Sequence, residues 1–426
     1  MTMQQTPSGD RLHIGIFGRR NAGKSSLINA VTAQPLAIVS DIPGTTTDPV
    51  SKAMEILPLG PVLVTDTAGL DDEGPLGELR VARTLQVLDR TDLGLLVVQA
   101  GQRPGACEQQ WVAHARERQT SILVVVNKID LIPDTSEAHK WAQGHGLRCV
   151  DVSARTGEGI EQLKGALAAA APSTFAEPTI LGDLVSPGDI VVMVVPIDKA
   201  APKGRLILPQ VMTIRDVLDN DAMAMVVKER ELRHCLARLS GPPKLVVTDS
   251  QAFLKVAADT PREVWMTSFS ILMARYKGDL VGFVQGTHAM LGLHTGSRVM
   301  IAEGCTHHRQ GDDIGTVQIP RWLRQKVGGE LDFHFCSGQD FPDDLSGFDL
   351  IVHCGSCMLN RRQLVHRQKQ AQAAGVPMTN YGLCLAEVHG ILDRALEPFP
   401  AARLAWKPPS RTAVAGQLHR ARVAGG

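Results

Sequence analysis

The run Gly18-Arg19-Arg20-Asn21-Ala22-Gly23-Lys24-Ser25 fits G-x-x-x-x-G-K-[ST], a spacing whose chemistry is phosphate binding. The glycines let backbone N–H groups curl around phosphate oxygens, and a helix expected to open near Ser25 adds favourable potential at its N-terminus. Lys24 reaches the β- and γ-phosphates, and the Ser25 hydroxyl is a Mg²⁺ ligand with Ser26 next in the same turn. A chance glycine turn is the plain alternative, and three further runs count against it. Asp66-Thr67-Ala68-Gly69 offers a carboxylate that holds Mg²⁺ through water. In Asn127-Lys128-Ile129-Asp130 the Asp130 carboxylate accepts from N1–H and the N2 amine of guanine. Adenine lacks that donor pair, so GTP is preferred over ATP. Ser153-Ala154 closes over the base. The expected GTP-binding set is Gly18, Asn21, Ala22, Gly23, Lys24, Ser25, Ser26, Asn127, Lys128, Asp130, Ser153 and Ala154.

A second chemistry belongs to sulfur. Of the eight cysteines, Cys107, Cys149 and Cys235 are scattered, while five lie from Cys305 onward. Gly304-Cys305-Thr306-His307-His308 and His353-Cys354-Gly355-Ser356-Cys357 each follow an apolar, strand-like run, 298–302 and 349–352. If those strands share one parallel sheet, their carboxyl ends bring Cys305, Cys354 and Cys357 to one crevice. C-x-x-C puts two thiolates on one tight turn, a chelate for Zn²⁺ or an iron–sulfur cluster. Three cysteines and a histidine satisfy tetrahedral zinc. Three cysteines with a replaceable fourth ligand leave one iron of a 4Fe–4S cluster open. Buried inert thiols are the plain alternative, and spacing alone does not choose. Cys336 and Cys384 also lie at strand ends.

Both motifs need strands that end in loops. Residues 11–172 alternate short runs rich in Ile, Leu and Val, ending at Phe17, Thr65, Val98 and Val126, with longer amphipathic stretches. That rhythm predicts βαβ units around a buried, mainly parallel sheet, an α/β P-loop GTPase fold. A closing helix is expected over 160–171, and the prolines at 172, 178 and 187 mark a boundary. Two smaller α/β domains with mainly parallel sheets follow. The first, 180–262, has strands at 189–195 and 244–248 and a long helical pattern over 214–239. It shows no chemical constellation, which suits structure or oligomerisation. The second, 263–400, carries most of the cysteines. Flexible ends are expected at 1–10 and in a basic tail, 401–426.

Composition bounds the rest. The chain has 426 residues, 44 Lys+Arg against 44 Asp+Glu, 44% hydrophobic and 4% aromatic content. This length suits two or three domains. The even charge argues against a general nucleic-acid binder. No leader pattern opens the chain and no run of about 18 apolar residues spans a membrane. The late cysteines read as metal or redox chemistry in a reducing cytoplasm.

The GTP-binding runs resemble the translation-factor-related GTPases that include Era and the tRNA-modifying GTPase. The stretch Ser40-Asp41-Ile42-Pro43-Gly44-Thr45-Thr46-Thr47-Asp48 resembles that group's first switch. The resemblance implies that Thr46 ligates Mg²⁺, beside Ser25 and Asp66, when the γ-phosphate is present. It also implies that Asn21, with Ser40, Ile42 and Thr45, surrounds a K⁺ ion. The catalytic set is then Lys24, Thr46, Asp66 and Gly69. Leu70 stands where Ras-like proteins place a water-orienting glutamine, so intrinsic turnover is expected to be slow. Glu78 is a candidate helper by position only, and a solvated helix-face acid is the plainer reading.

The GTPase runs, together with C-x-H and H-C-x-x-C separated by the 45 residues 308–352, closely resemble the FeFe-hydrogenase maturation GTPase. The resemblance extends to the blocks Val247–Phe253, Thr267–Leu272, Lys277–Leu280 and Thr379–Gly382. It implies GTPase, dimerisation and cluster-binding domains, with GTP/GDP, Mg²⁺ and a 4Fe–4S cluster as cofactors. Cys305, Cys354 and Cys357 become cluster ligands, and His307 or His353 occupies the labile fourth position. Cys336 and Cys384 are not motif positions. The implied role is scaffold and carrier for the two-iron precursor, loaded by radical-SAM maturases and delivered to the apo-hydrogenase, in a homodimer with no membrane or nucleic-acid partner. The alternative is an RNA- or ribosome-associated GTPase with a structural zinc.

Overall fold

The computed structural model describes residues 6–32, 49–57, 59–71, 83–171, 179–196, 206–304, 313–338 and 340–406. The chain divides into two compact units, Met1–Pro178 with Met358–His366, and Thr179–Cys357 with Arg367–Gly426.

The first unit is built on six strands: β1 (Leu12–Phe17), β2 (Val50–Ile56), β3 (Gly60–Asp66), β4 (Leu93–Gln99), β5 (Ser121–Asn127) and β6 (Arg148–Asp151). They lie in the order β2-β3-β1-β4-β5-β6. All pairs are parallel except β2 with β3. Helices cover both faces, so the central strands are apolar on both sides rather than alternating. Leu93, Leu95 and Val97 of β4 enter one core cluster with Leu123 and Val125 of β5, while Leu96, Val98, Val124 and Val126 enter the other. The parallel register makes the connections from β3 through β6 crossovers, while β2 turns straight into its antiparallel neighbour β3. The loops after β1, β3, β5 and β6 therefore emerge at the same carboxyl edge, where ligands bind in such sheets.

The second unit holds two four-stranded sheets, both wholly parallel. The first contains β7 (Ile190–Val194), β8 (Met223–Val227), β9 (Leu245–Thr248) and β10 (Trp265–Ser268), in the order β10-β9-β7-β8. The second contains β11 (Arg298–Glu303), β12 (Asp332–Ser337), β13 (Leu350–His353) and β14 (Met378–Asn380), in the order β12-β11-β13-β14.

Three expectations need correction here. The tail expected to be flexible over 401–426 begins within a helix, Pro400–Trp406, with Ala402 buried. The helical pattern over 214–239 is a helix Leu208–Asp219, the strand β8 and a short helix Leu232–Leu236. Met and Ala favour helix in isolation, but Ile190↔Met223 to Val194↔Val227 pairing on β7 decides for strand. The boundary expected at 262/263 falls inside the first of these sheets. Trp265–Ser268 pairs with Leu245–Thr248, so Pro261 marks a turn within the βα succession rather than the end of a domain.

Three of the four family-like blocks have a plain structural role as helix N-caps. The Ser268 hydroxyl accepts from Ile271 N (3.2 Å), Asp279 Oδ1 from Val281 N (3.0 Å), and Asn380 Oδ1 from Gly382 N (2.8 Å). Each satisfies an N–H that its helix leaves unpaired, a contribution of about 1 kcal/mol per cap. Asn380 Nδ2 also donates to Ser270 Oγ (3.2 Å), tying two of these blocks together.

Candidate functional site

The phosphate loop leaves β1 at Gly18. Its glycines are required: Gly18 and Gly23 have φ of +147° and +91°, and a Cβ there would collide with Val97 O and Asn127 Nδ2. Asn21 takes φ +58°, a left-handed conformation that asparagine tolerates. The chain then enters the helix Lys24–Thr32, whose first turn carries Lys24, Ser25 and Ser26. Lys24 is buried, and its Nζ donates to Gly18 O (2.9 Å) and Arg19 O (2.8 Å). The ammonium thus bridges the loop it would share with phosphate oxygens. Arg19 is held outward by a two-point ion pair with buried Glu108, Nε–Oε1 2.6 Å and Nη2–Oε2 2.9 Å.

Ser25 Oγ donates to Asp66 Oδ2 at 2.6 Å, bringing two expected Mg²⁺ ligands together. Burial pushes the Asp66 carboxyl above its ordinary range, against the opposing pull of the Ser25 hydroxyl and Lys24. Its Oδ1 is buried with no hydrogen-bond partner among the described residues. An orphaned carboxylate oxygen beside a serine hydroxyl suits a hydrated divalent cation. Gly69 packs against the loop, since a Cβ there would meet Arg20 Cγ at 2.5 Å. Leu70 N donates to Gly18 O (3.3 Å) and Arg20 N to Asp71 Oδ1 (2.8 Å).

The base-recognition residues close on each other. Asn127 is buried; its Nδ2 donates to Ala22 O (2.9 Å) and its Oδ1 accepts from Ala154 N (3.0 Å). One side chain therefore fixes the phosphate loop and the Ser153-Ala154 loop to the end of β5. Asp130 Oδ1 accepts from Ser153 Oγ at 2.7 Å, and Oδ2 lies 3.3 Å from Arg155 Nε. Lys128, at φ +68°, reaches Gln99 Oε1 at 3.1 Å. Thr46 lies outside the described residues, as do Ser40, Ile42 and Thr45, the expected companions of Asn21 around K⁺, and Glu78.

At the sulfur site the condition set by the sequence is met: β11 and β13 are parallel neighbours, with Ala302 opposite His353. Across β11, Ala302 also pairs with Cys336. Cys354 and Cys357 sit on the turn after β13, with Ser356 at φ +57°. Cys354 Sγ accepts from Gly304 N (3.0 Å) and Ser356 N (3.4 Å), the backbone donors that steady a metal-bound thiolate. Burial, and then Cys357, push the free Cys354 thiol up to about 11; ligation would release that proton. Cys305, His307 and His308 lie outside the described residues.

His353 does not offer a ligand nitrogen here. It is wholly buried, its Nε2 is 2.9 Å from Arg367 Nη1, and its Nδ1 lies 3.1 Å from both Ser356 Oγ and Cys354 O. Arginine only donates, so Nε2 accepts and the ring is neutral. Burial, with Arg367 beside it, lowers its pKa to about 3. Burial pushes the partly buried Cys336 thiol up to about 11 and the core thiol Cys384 up to about 12.

Sequence reading missed the charged groups around this turn. Buried Glu303 ends β11 and accepts from Tyr381 Oη at 3.4 Å. It bears electrostatically on Cys354, as does Arg367, itself buried under the Phe341 ring. Buried Lys277 donates to Cys357 O at 3.2 Å. A charged residue expected on a surface carries no mark in sequence when the fold encloses it.

The comparisons agree with this division of labour. Residues 13–128 match a family model of the 50S ribosome-binding GTPase. A tRNA modification GTPase MnmE from Chromobacterium violaceum is 39% identical over 158 residues, 37% of this chain and 34% of that protein. A GTPase Der from Heliobacterium modesticaldum is 38% identical over 128 residues, 29% of each. The chain thus spans about a third of the length of the curated relatives it matches. A solved structure of Aquifex aeolicus Era bound to GDP and aluminium fluoride overlays at a TM-score of 0.35 with 20% identity, over 51% of this chain and 93% of that one, too loosely to argue from. Residues 180–278 match the hydrogen maturase F dimerization domain and 281–398 its tetramerization domain. Two domains of one family thus follow a GTPase domain in sequence: the chain belongs to the hydrogen maturase F family.

Proposed function

We propose that this GTPase is a cytoplasmic scaffold and carrier that binds a 4Fe–4S cluster through Cys305, Cys354 and Cys357. The cluster's fourth position is exchangeable, and the chain helps assemble and deliver the two-iron precursor of the FeFe-hydrogenase active site. The observation that carries the reading is the bond from Gly304 N to Cys354 Sγ. It brings the residue that precedes Cys305 in the chain onto the C-x-x-C turn. The fourth ligand falls to His307 or an exogenous group, because His353 is spoken for. Buried Glu303 is a further oxygen donor close to Cys354. Bound there, the cluster supplies an iron whose outer ligand exchanges without breaking three thiolate bonds.

In the nucleotide site, Lys24 and the loop N–H groups hold the β- and γ-phosphates. Ser25 and Asp66, joined by Thr46, hold Mg²⁺, with Asn21 toward K⁺. Asp130 reads guanine, and Asn127 keeps the two loops in register. A switch influences partners only if its two states bind them differently. We therefore assign hydrolysis to gating association of the dimer with the radical-SAM maturases, with no chemistry on the cluster. Equal retention of those partners by the GTP and GDP forms would count against the gating.

An anaerobic preparation tests the metal. A brown protein with iron and sulfide, losing both on Cys354→Ser, supports the carrier. A colourless protein holding zinc would favour the RNA- or ribosome-associated alternative.

A further inference from the structure

Neither function uses a third group of side chains, which lies in the GTPase unit. β6 is the edge strand of the six-stranded sheet. Alternation along it places Cys149 and Asp151 on one face and Val150 on the other. The cores agree, since Val150 packs into one cluster and Cys149 into the opposite one with Ala138, Trp141 and Ala142. Those three belong to the helix Ser136–Gly144, so this helix covers the Cys149 face. His139 stands on the same helix, beside its buried stripe. Its Nε2 is 2.7 Å from Asp151 Oδ1, and Thr135 Oγ1 donates to Asp151 Oδ2 at 3.0 Å. One ligand atom from each of His139, Cys149 and Asp151 lies within 4.8 Å of the other two.

We propose that His139, Cys149 and Asp151 form a binding site for a zinc-class divalent cation, with water as the fourth ligand. One imidazole, one thiolate and one carboxylate are the donors that zinc accepts. Around tetrahedral zinc such donor atoms stand about 3.4–3.6 Å apart. The wider separations therefore shorten by at most about 1.4 Å, while the 2.7 Å His139–Asp151 hydrogen bond opens by about 0.8 Å, movements that turning the partly exposed His139 and Asp151 side chains allows. The Thr135 hydroxyl fixes the Asp151 carboxylate from behind, as outer partners of metal ligands do. Burial keeps the Cys149 thiol protonated in the metal-free chain. Loading then forms a metal–sulfur bond and breaks the S–H bond, releasing one proton to solvent per ion.

The test uses the full-length chain carrying Cys305→Ser, Cys354→Ser and Cys357→Ser, so that the cluster thiols contribute nothing. The metal-free protein is titrated with Co²⁺ as a spectroscopic stand-in for Zn²⁺. A thiolate-to-cobalt charge-transfer band should grow to one ion per chain and disappear on adding Zn²⁺. Cobalt at the Mg²⁺ site produces no such band, because no sulfur is there. Cys149→Ser should abolish the band. His139→Ala should weaken Co²⁺ binding at least about tenfold with unchanged melting. No band in the parent, or a band that survives both substitutions, overturns the site. Should the triple variant not fold, the same question is put to the cluster-loaded wild-type chain. It should retain one zinc per chain after dialysis and lose it on Cys149→Ser; equal zinc in both overturns the proposal.

Discussion

The nucleotide site and the sulfur site are both built at the carboxyl ends of parallel strands, yet they are held in different ways. The nucleotide residues hold one another. Asn127 bonds the phosphate loop and the Ser153-Ala154 loop, Ser25 bonds Asp66, and Ser153 bonds Asp130. The sulfur turn has bonds of its own, from Ser356 to Cys354 and His353, but it is also held by residues outside its C-x-x-C run: Gly304 on Cys354, Lys277 on Cys357, and Arg367 on His353. A site whose motif residues support one another is specified by those residues. A site supported from outside depends on the fold around it.

The largest effect should come from Lys24→Ala. Removing a cation aimed at developing phosphate charge should lower hydrolysis at least about 100-fold, while iron content stays at the wild-type level. Iron lost along with hydrolysis would show the two sites to be coupled. Asp130→Asn replaces an acceptor of two guanine hydrogen bonds with a group that accepts one and donates one. It should weaken GTP binding by about 10- to 100-fold, in line with 1.5–3 kcal/mol for hydrogen bonds to a charged group, and favour xanthosine triphosphate. Nucleotide titrations showing unchanged GTP affinity would remove Asp130 from the base site.

Folding should show the same divide. Burial raises the Asp92 carboxyl in the first unit to about 6, against an ordinary 3.8, although it accepts from His13 N at 2.9 Å. The folded state therefore keeps this proton to higher pH than the unfolded chain. The Asp92 contribution to stability rises as pH falls from about 6 to about 4 and is flat outside that window. Asp92→Asn should remove that slope, at most about 3 kcal/mol, visible in paired denaturant melts at pH 4.5 and 7.5. Identical slopes in wild type and variant would mean the carboxyl titrates normally. In the second unit Asn380→Ala should cost about 1 kcal/mol through the lost cap, again by denaturant melts, and leave GTP affinity unchanged. A fall in GTP affinity would tie this cap to the first unit.

The P-loop, the Asp66 and Asn127 runs and the strands that carry them could be read from sequence, because each motif directly follows a short apolar run and so falls at a strand's carboxyl end. The two strands before the cysteine runs were legible too, but their parallel pairing entered only as a condition that the structure meets. The strand β8 was not legible, since its Met and Ala residues prefer helix until β7 pairs with them. Glu303, Lys277 and Arg367 escaped notice because nothing local distinguishes an enclosed charge from a solvated one. Cys149, read as a scattered thiol, gained meaning only when a helix 10 residues away, counting from His139, was placed over its strand.

The most direct measurement of the central claim is the electron paramagnetic resonance spectrum of the anaerobically reconstituted, reduced protein. Three thiolates with a free corner predict the signal of a reduced 4Fe–4S cluster whose line shape changes when imidazole is added. No paramagnetic signal, or one indifferent to imidazole, would contradict it.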